Sequence, residues 1–140
     1  MLNNISISLL NAPYENVNHW KRVISVKQNI TLAELHQVIQ SLLKFREHDH
    51  LFQFIAGKES LDSYVYLESL DQCKAHYSRI ELRNIFATGV SNLYYNFDFG
   101  DNWVFEIKQT LNSPIKINRG NYRLIASSGA RPRQYRSSKV

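Results

Sequence analysis

The chain has little cysteine and no long apolar run, and both shortages limit the cellular environments that are expected for it. Cys73 is the only cysteine among 140 residues, so an internal disulfide is excluded and a reducing compartment is expected. No apolar run approaches the roughly 18 residues that cross a bilayer, and the N-terminus lacks a basic segment followed by an apolar one. We therefore expect a cytoplasmic protein without membrane contacts.

The five glycines are too scattered to form a phosphate-binding loop. No G-x-G-x-x-G or Walker pattern occurs, and no serine lies in a Gly-x-Ser-x-Gly elbow. Cys73 has no neighbouring pattern typical of a reactive thiol. These shortages predict that the protein needs no cofactor, and they argue against nucleotide hydrolysis and nucleophilic catalysis.

Acidic residues are absent from the C-terminal end of the chain. The net charge is +5, but residues 1–106 hold nine cations and twelve anions, which gives them a charge of −3. Beyond Glu106 come eight cations and no anion. Such an end is typical of a solubilising tail, or of a surface for an acidic partner or nucleic acid. The candidate nucleic-acid contacts are Lys116, Arg119, Arg123, Arg131, Arg133, Arg136 and Lys139.

Residues 30–45 carry the clearest local signal in the sequence. Thr31 and Glu34 match the S/T-x-x-E capping box, in which a hydroxyl and a carboxylate accept hydrogen bonds from free backbone N–H groups. The apolar stripe that follows has helical spacing and consists of Leu32, Leu35, Ile39, Leu42 and Leu43. The pattern predicts a helix over about residues 32–45 that packs one face on a sheet.

Short runs of alternating apolar and polar residues flank this helix and are typical of half-buried strands. The predicted strands are residues 5–10, 20–26, 51–55, 64–67, a hairpin over 93–109, and 122–126, with a further candidate at 79–82. We expect an α+β fold, one domain over residues 1–128, with a mixed or antiparallel β-grasp-like sheet crossed by one main helix. Residues 129–140 are predicted to form a flexible basic tail.

Residues 94–107 alternate aromatic and polar side chains on both sides of a Gly-Asp-Asn turn that tolerates positive φ. Asp98 and Asp101 lie at this turn. They could hold it through backbone N–H groups, work as an acid/base pair, or bind a cation, and holding the turn is the favoured interpretation. Trp103 follows the turn and is expected either in the core or as a contact residue on the surface.

The histidines offer candidate sites that the surrounding sequence does not support. His48 and His50, with Cys73 and His76, have ligand-like spacing for zinc, but the two pairs come from unrelated polar loops. We therefore expect no metal site. His36 lies on the border of the apolar helix stripe and is expected to seal the edge of the helix–sheet contact. The candidate surface site consists of Asp98, Asp101 and Trp103, with His36 and His50 as neighbours.

Four motifs follow one another along the chain. They are Trp20-Lys21-Arg22-Val23-Ile24, Thr31-Leu32-x-x-Leu35-His36-x-x-Ile39-Gln40, His50-Leu51-Phe52-x-Phe54, and Tyr95-x-Phe97-Asp98-Phe99-Gly100-Asp101-x-Trp103. In this order, over about residues 17–132, the chain resembles the plasmid pRiA ORF-3-like family, whose members also occur as mobile-element passengers termed "TnpR family" proteins. The resemblance implies a compact α+β domain without an established activity.

The chain departs from that family pattern near its C-terminus. The resemblance implies a Gly-x-x-x-Pro-Pro-Glu-Asp stretch after the last strand and a histidine two residues after the tryptophan. Here Arg133 and Gln134 take the place of the acidic pair, and Phe105 takes the place of the histidine. If those positions form a site with Asp98 and Asp101, part of that site is lost.

We therefore expect a small cytosolic binding or interaction module, associated with plasmids or mobile elements and without catalysis. Its expected partner is a protein or a nucleic acid. Two alternatives stay open. One is a nucleic-acid-binding accessory protein that uses the basic C-terminal third, and the other is a degenerate hydrolase or metal-dependent enzyme centred on Asp98 and Asp101.

Overall fold

The structure is a computed structural model that describes residues 1–13, 19–47, 49–57, 64–68 and 74–135. The strands within these ranges are β1 Ile5–Asn11, β2 Lys21–Val26, β3 Phe52–Gly57, β4 Tyr64–Glu68, β5 Asn92–Phe97, β6 Trp103–Gln109 and β7 Tyr122–Ser128. The helices within them are α1 Leu32–Leu43, α2 Lys74–Tyr77 and α3 Leu82–Ala87. No helix in the described part is long and apolar enough to cross a membrane.

Helix α1 begins and ends as its local chemistry dictates. Thr31 Oγ1 accepts a hydrogen bond from Glu34 N at 3.2 Å, and Glu34 Oε1 accepts one from Thr31 N at 3.0 Å, so the predicted capping box is confirmed. Lys44 adopts a left-handed conformation and donates its N–H to the Gln40 carbonyl at 2.8 Å, which ends the helix. The helix is two residues shorter than predicted.

The strands of the described residues form one seven-stranded sheet in the order β4-β3-β5-β6-β1-β2-β7. Every neighbouring pair runs antiparallel. The predicted α+β domain is therefore confirmed, and the sheet is antiparallel rather than mixed. The β-grasp-like detail of the prediction is not confirmed, because β1 runs antiparallel to β6 in the middle of the sheet.

The segment before α3 differs from its prediction. The candidate strand at residues 79–82 is reduced to one isolated bridge between Thr31 and Glu81, and Leu82 already begins a helix. Two backbone hydrogen bonds, Leu32 N to Ile80 O and Leu82 N to Ile30 O, both 2.9 Å, tie this segment to the start of α1. Residues 79–82 therefore bond to the start of α1 and not to a described strand of the sheet.

Aromatic side chains fill the core on the side of the sheet that α1 covers. Trp103 is 1% exposed, lies 4.8 Å from the ring of Phe45, and stacks at 6.4 Å on Phe105. Trp20 is also 1% exposed and meets Phe105 edge-on at 5.6 Å. Trp103 is therefore a core residue, and the alternative that it forms part of a contact surface is wrong.

Replacing Trp103 tests this assignment. Trp103→Ala removes a fully buried indole and leaves a cavity, so we expect the free energy of unfolding to fall by about 3–5 kcal/mol. Trp103→Phe keeps part of the packing and should cost less. Urea denaturation of the two variants measures the difference, and a near-neutral Trp103→Ala would place the side chain outside the core.

Candidate functional site

The turn between β5 and β6 is closed by its backbone. Asp98 and Asn102 both have φ of +57°, and Asn102 donates its N–H to the Asp98 carbonyl at 2.6 Å. Asp98 also donates its own N–H to Leu51 O at 2.8 Å, which ties the turn to the start of β3. The positive φ values therefore fall on Asp98 and on Asn102 of the predicted Gly-Asp-Asn turn, and not on Gly100.

The carboxylate of Asp98 is directed at His50. Its Oδ2 lies 3.5 Å from His50 Nδ1, and the Asp98 side chain is only 14% exposed. On the other side of the ring, His50 Nε2 lies 3.6 Å from Glu47 Oε1 and 3.1 Å from the Tyr135 hydroxyl. The Tyr135 hydroxyl donates to Glu47 Oε1 at 2.8 Å. We call Glu47, His50, Asp98, Asp101 and Tyr135 the His50 cluster.

Charge and burial act on two members of this cluster. Loss of solvent raises the pKa of Asp101, the neighbouring Asp98 carboxylate raises it further, and His50 opposes the change. Loss of solvent and the hydrogen bond to Glu47 raise the pKa of Tyr135 to about 12. Tyr135 therefore stays a hydrogen-bond donor at neutral pH. Within the described ranges, no group of three or more His, Cys, Asp or Glu side chains is arranged to hold a metal ion.

His36 does not join this cluster. It is 7% exposed beneath α1, where its ring stacks on Phe52 at 3.7 Å. Gln40 Nε2 donates to the Tyr95 hydroxyl at 3.0 Å, so that hydroxyl is free to donate its proton to His36 Nδ1 at 2.5 Å. The side chain belongs to a buried network inside the helix–sheet contact, and its ring lies 6.4 Å from that of Phe97, the residue before Asp98.

The segment after β7 packs against the domain as far as it is described. Gln134 is 7% exposed; its Oε1 accepts from Arg46 N at 2.9 Å and Glu47 N at 3.1 Å, and its Nε2 donates to Glu47 O at 2.7 Å. At the other end of the segment, Gly129 has φ of +79° and lies so close to the His19 carbonyl that a Cβ would stand 2.5 Å from it. Residues 129–135 are thus held at both ends, whereas the sequence predicted a free tail from residue 129.

The predicted cations gather around β7, whose residues 123–128 are all exposed. Arg123 Nη1 donates to the Lys116 carbonyl at 3.2 Å, which brings those two residues together. None of the predicted cations within the described ranges forms an ion pair there. Arg136 and Lys139 lie outside the described residues. We call β7 with these five cations the basic edge: Lys116, Arg119, Arg123, Arg131 and Arg133.

Arg22 anchors the end of β7 and is not counted among the cations of the basic edge. Its Nη1 donates to Ser128 O at 2.8 Å and to Gly129 O at 3.3 Å, and its guanidinium lies 4.7 Å from the Trp20 ring centre. Burial lowers the pKa of Arg22. This residue therefore positions β7 and the segment that follows it.

Sequence reasoning missed Glu47 and Tyr135 as members of the His50 cluster, whereas Gln134 was named only as a replacement for one of the family's acidic pair. The signal available for Tyr135 was an aromatic residue within an otherwise basic stretch. Glu47 gave no comparable signal, because it is one of several polar residues after α1. His48 and Cys73, from the rejected zinc candidate, lie outside the described residues.

Known proteins resemble this chain in sequence and in fold. The family model of plasmid pRiA4b ORF-3-like proteins matches residues 4–134. No curated protein matches the chain. The chain is similar to the crystal structure of MM3350, a protein of unknown function from Methanosarcina mazei Go1, with 20% identity and a TM-score of 0.72. That match covers 95% of this chain and 72% of MM3350, and it shows a shared fold.

Asp101 should weaken the folded state at neutral pH. Folding raises the pKa of Asp101, so ionisation of this carboxylate lowers the free energy of unfolding. This loss is absent at low pH and develops as the pH rises through the unfolded and then the folded pKa. We expect Asp101→Asn to unfold at a higher temperature than the parent at pH 7, with the difference vanishing at acid pH. Thermal melts across this range measure it, and equal melting temperatures of variant and parent at pH 7 would contradict the prediction.

Gln134 should stabilise the domain. Gln134→Ala leaves the N–H groups of Arg46 and Glu47 and one carbonyl without their partner, which should cost about 1–3 kcal/mol. The neighbouring Arg133→Ala, at an exposed position, should be close to neutral. Chemical denaturation compares the two, and equal stability of both variants would contradict a packed C-terminal segment.

Proposed function

The chain belongs to the plasmid pRiA4b ORF-3-like family, and we propose that it is a binding module without catalysis whose partner is an anionic macromolecule bound at the basic edge. The observation that carries this proposal is the set of exposed cations around β7 that have no carboxylate partner within the described ranges. Unpaired surface cations of one sign attract partners of the other sign and speed their association.

The cations lie towards both ends of β7. Arg123 and Lys116 are joined by a hydrogen bond near its start, and Arg131 and Arg133 follow shortly after its end. Seven residues of strand span roughly 20–24 Å. A partner that follows the strand would therefore meet positive charge near both of its ends, which suits an extended polyanion better than a compact anion.

The packing of residues 129–135 favours a binding role for their cations over a solubilising role. Because Gln134 and Gly129 hold this segment against the domain, Arg131 and Arg133 are carried on a fixed stretch of backbone. Charges on a fixed scaffold lose less conformational freedom on binding than charges on a loose chain. The plasmid in the family's name supports the further proposal that the protein acts in plasmid or mobile-element biology.

The number of cations, taken by itself, favours nucleic acid as the partner. Residues 107–140 contain eight cations and no anion, so several phosphates could be neutralised and the affinity would fall steeply with salt. The alternative of an enzyme centred on Asp98 and Asp101 has weaker support, because the Asp98 carboxylate is engaged with His50.

Charge reversal tests the proposal. Lys116→Glu with Arg123→Glu should weaken binding of labelled oligonucleotide or polyglutamate, whichever the parent binds, by about tenfold or more, because two cations become repulsive. Lys108→Glu with Arg79→Glu changes the net charge equally at exposed positions away from β7 and should have a smaller effect. Fluorescence anisotropy at low and moderate salt measures both. Equal losses in the two double variants, or no polyanion binding by the parent, would contradict the proposal.

A further inference from the structure

We propose that the partner at the basic edge is an extended acidic protein segment that pairs with β7 as an additional antiparallel or parallel strand. This inference rests on the proposed function and names the partner class at the same surface. Strand addition to an exposed sheet edge is a recurrent mode of peptide recognition, in which main-chain hydrogen bonds give affinity and alternate side chains give specificity.

The edge itself is open in the described structure. β7 is the last strand of the sheet and pairs with β2 alone among the described strands. Along its other side, the backbone N–H and C=O groups of an edge strand are available to a further strand. Arg22, bonded to Ser128 O and Gly129 O, fixes the end of β7, and the ladder with β2 shifts register once, between Val23 and Ile24.

The side chains of β7 suit a polypeptide better than a nucleic acid. Leu124 is 48% exposed and Ile125 is 39% exposed, and both are aliphatic. Leu124 aligns with the buried Ile24 of β2, so it extends the apolar face of the sheet to the edge. A strand with apolar residues at alternate positions would cover Leu124 on that face, whereas base stacking needs exposed aromatic rings.

The positive charge of this edge favours an acidic partner over a second copy of the chain. Two β7 strands placed side by side would bring the Arg123 side chains and the neighbouring cations of both copies to one seam. Cationic residues on edge strands are a recognised means of preventing such self-pairing. The same cations attract a segment that carries glutamate or aspartate between its apolar residues.

The experiment uses a labelled peptide of about ten residues that alternates valine and glutamate. We expect it to bind the full chain and to protect the amides of residues 122–128 from hydrogen exchange. A peptide of the same charge with proline in place of alternate valines cannot form a strand and should bind about tenfold more weakly. Leu124→Ser with Ile125→Ser should reduce binding of the valine–glutamate peptide while leaving oligonucleotide and polyglutamate binding unchanged.

Each other outcome identifies what has failed. Equal binding of both peptides, without protection at β7, would overturn strand addition while leaving an anion-binding edge in place. Preferential binding of single-stranded or duplex DNA that the Leu124 and Ile125 substitutions do not affect would assign the edge to nucleic acid. A dimer in light scattering with β7 protected in the absence of peptide would make a second copy the occupant. Absence of binding to every polyanion would overturn the proposed function as well.

Discussion

The antiparallel pairing of β1 with β6 is the interaction on which the rest of the structure depends. It joins the N-terminal hairpin of β1 and β2 to the later hairpin of β5 and β6, although about a hundred residues separate the paired positions. Ile5 and Ile7 of β1 and Ile107 of β6 are fully buried at this junction. Because β1 and β6 occupy the middle of the sheet, β7 reaches one edge and the Asp98 turn lies on the other half.

The C-terminal segment connects these two halves a second time. It leaves β7 beside Trp20, and Gln134 then bonds the backbone that follows α1, next to the residues that approach Asp98. Tyr135 completes the connection through Glu47 and His50. Strand β7 and the His50 cluster are therefore linked by a short stretch of chain, and this stretch carries Arg131 and Arg133.

Local chemistry made much of the fold predictable from the sequence. The capping box at Thr31 and the alternation around Trp103 each act over a few residues, so α1 and the last hairpin followed directly. The β-grasp-like topology was not confirmed, because strand order depends on pairings between distant segments that no local pattern encodes. The sequence grouped Asp98, Asp101 and His50 in one candidate site, whereas Glu47 and Tyr135 were missed, because no local pattern links the three separate parts of the chain that form the His50 cluster. For His36, helical spacing shows that the side chain borders the buried face, but not that Tyr95 and Gln40 will supply its partners.

The packing of the C-terminal segment bears on how the cations should be interpreted. A composition of eight cations without an anion fits a solubilising tail when the chain is free, because the charges then have no fixed arrangement. Here Arg123 lies in a paired strand, and Arg131 and Arg133 lie between two anchored residues. Their spacing is therefore a property of the fold, and a partner with matching negative charges would lose less entropy in meeting it. The exposed Leu124 and Ile125 beside them add an apolar surface that solubilisation would not require, which favours recognition of an extended protein segment.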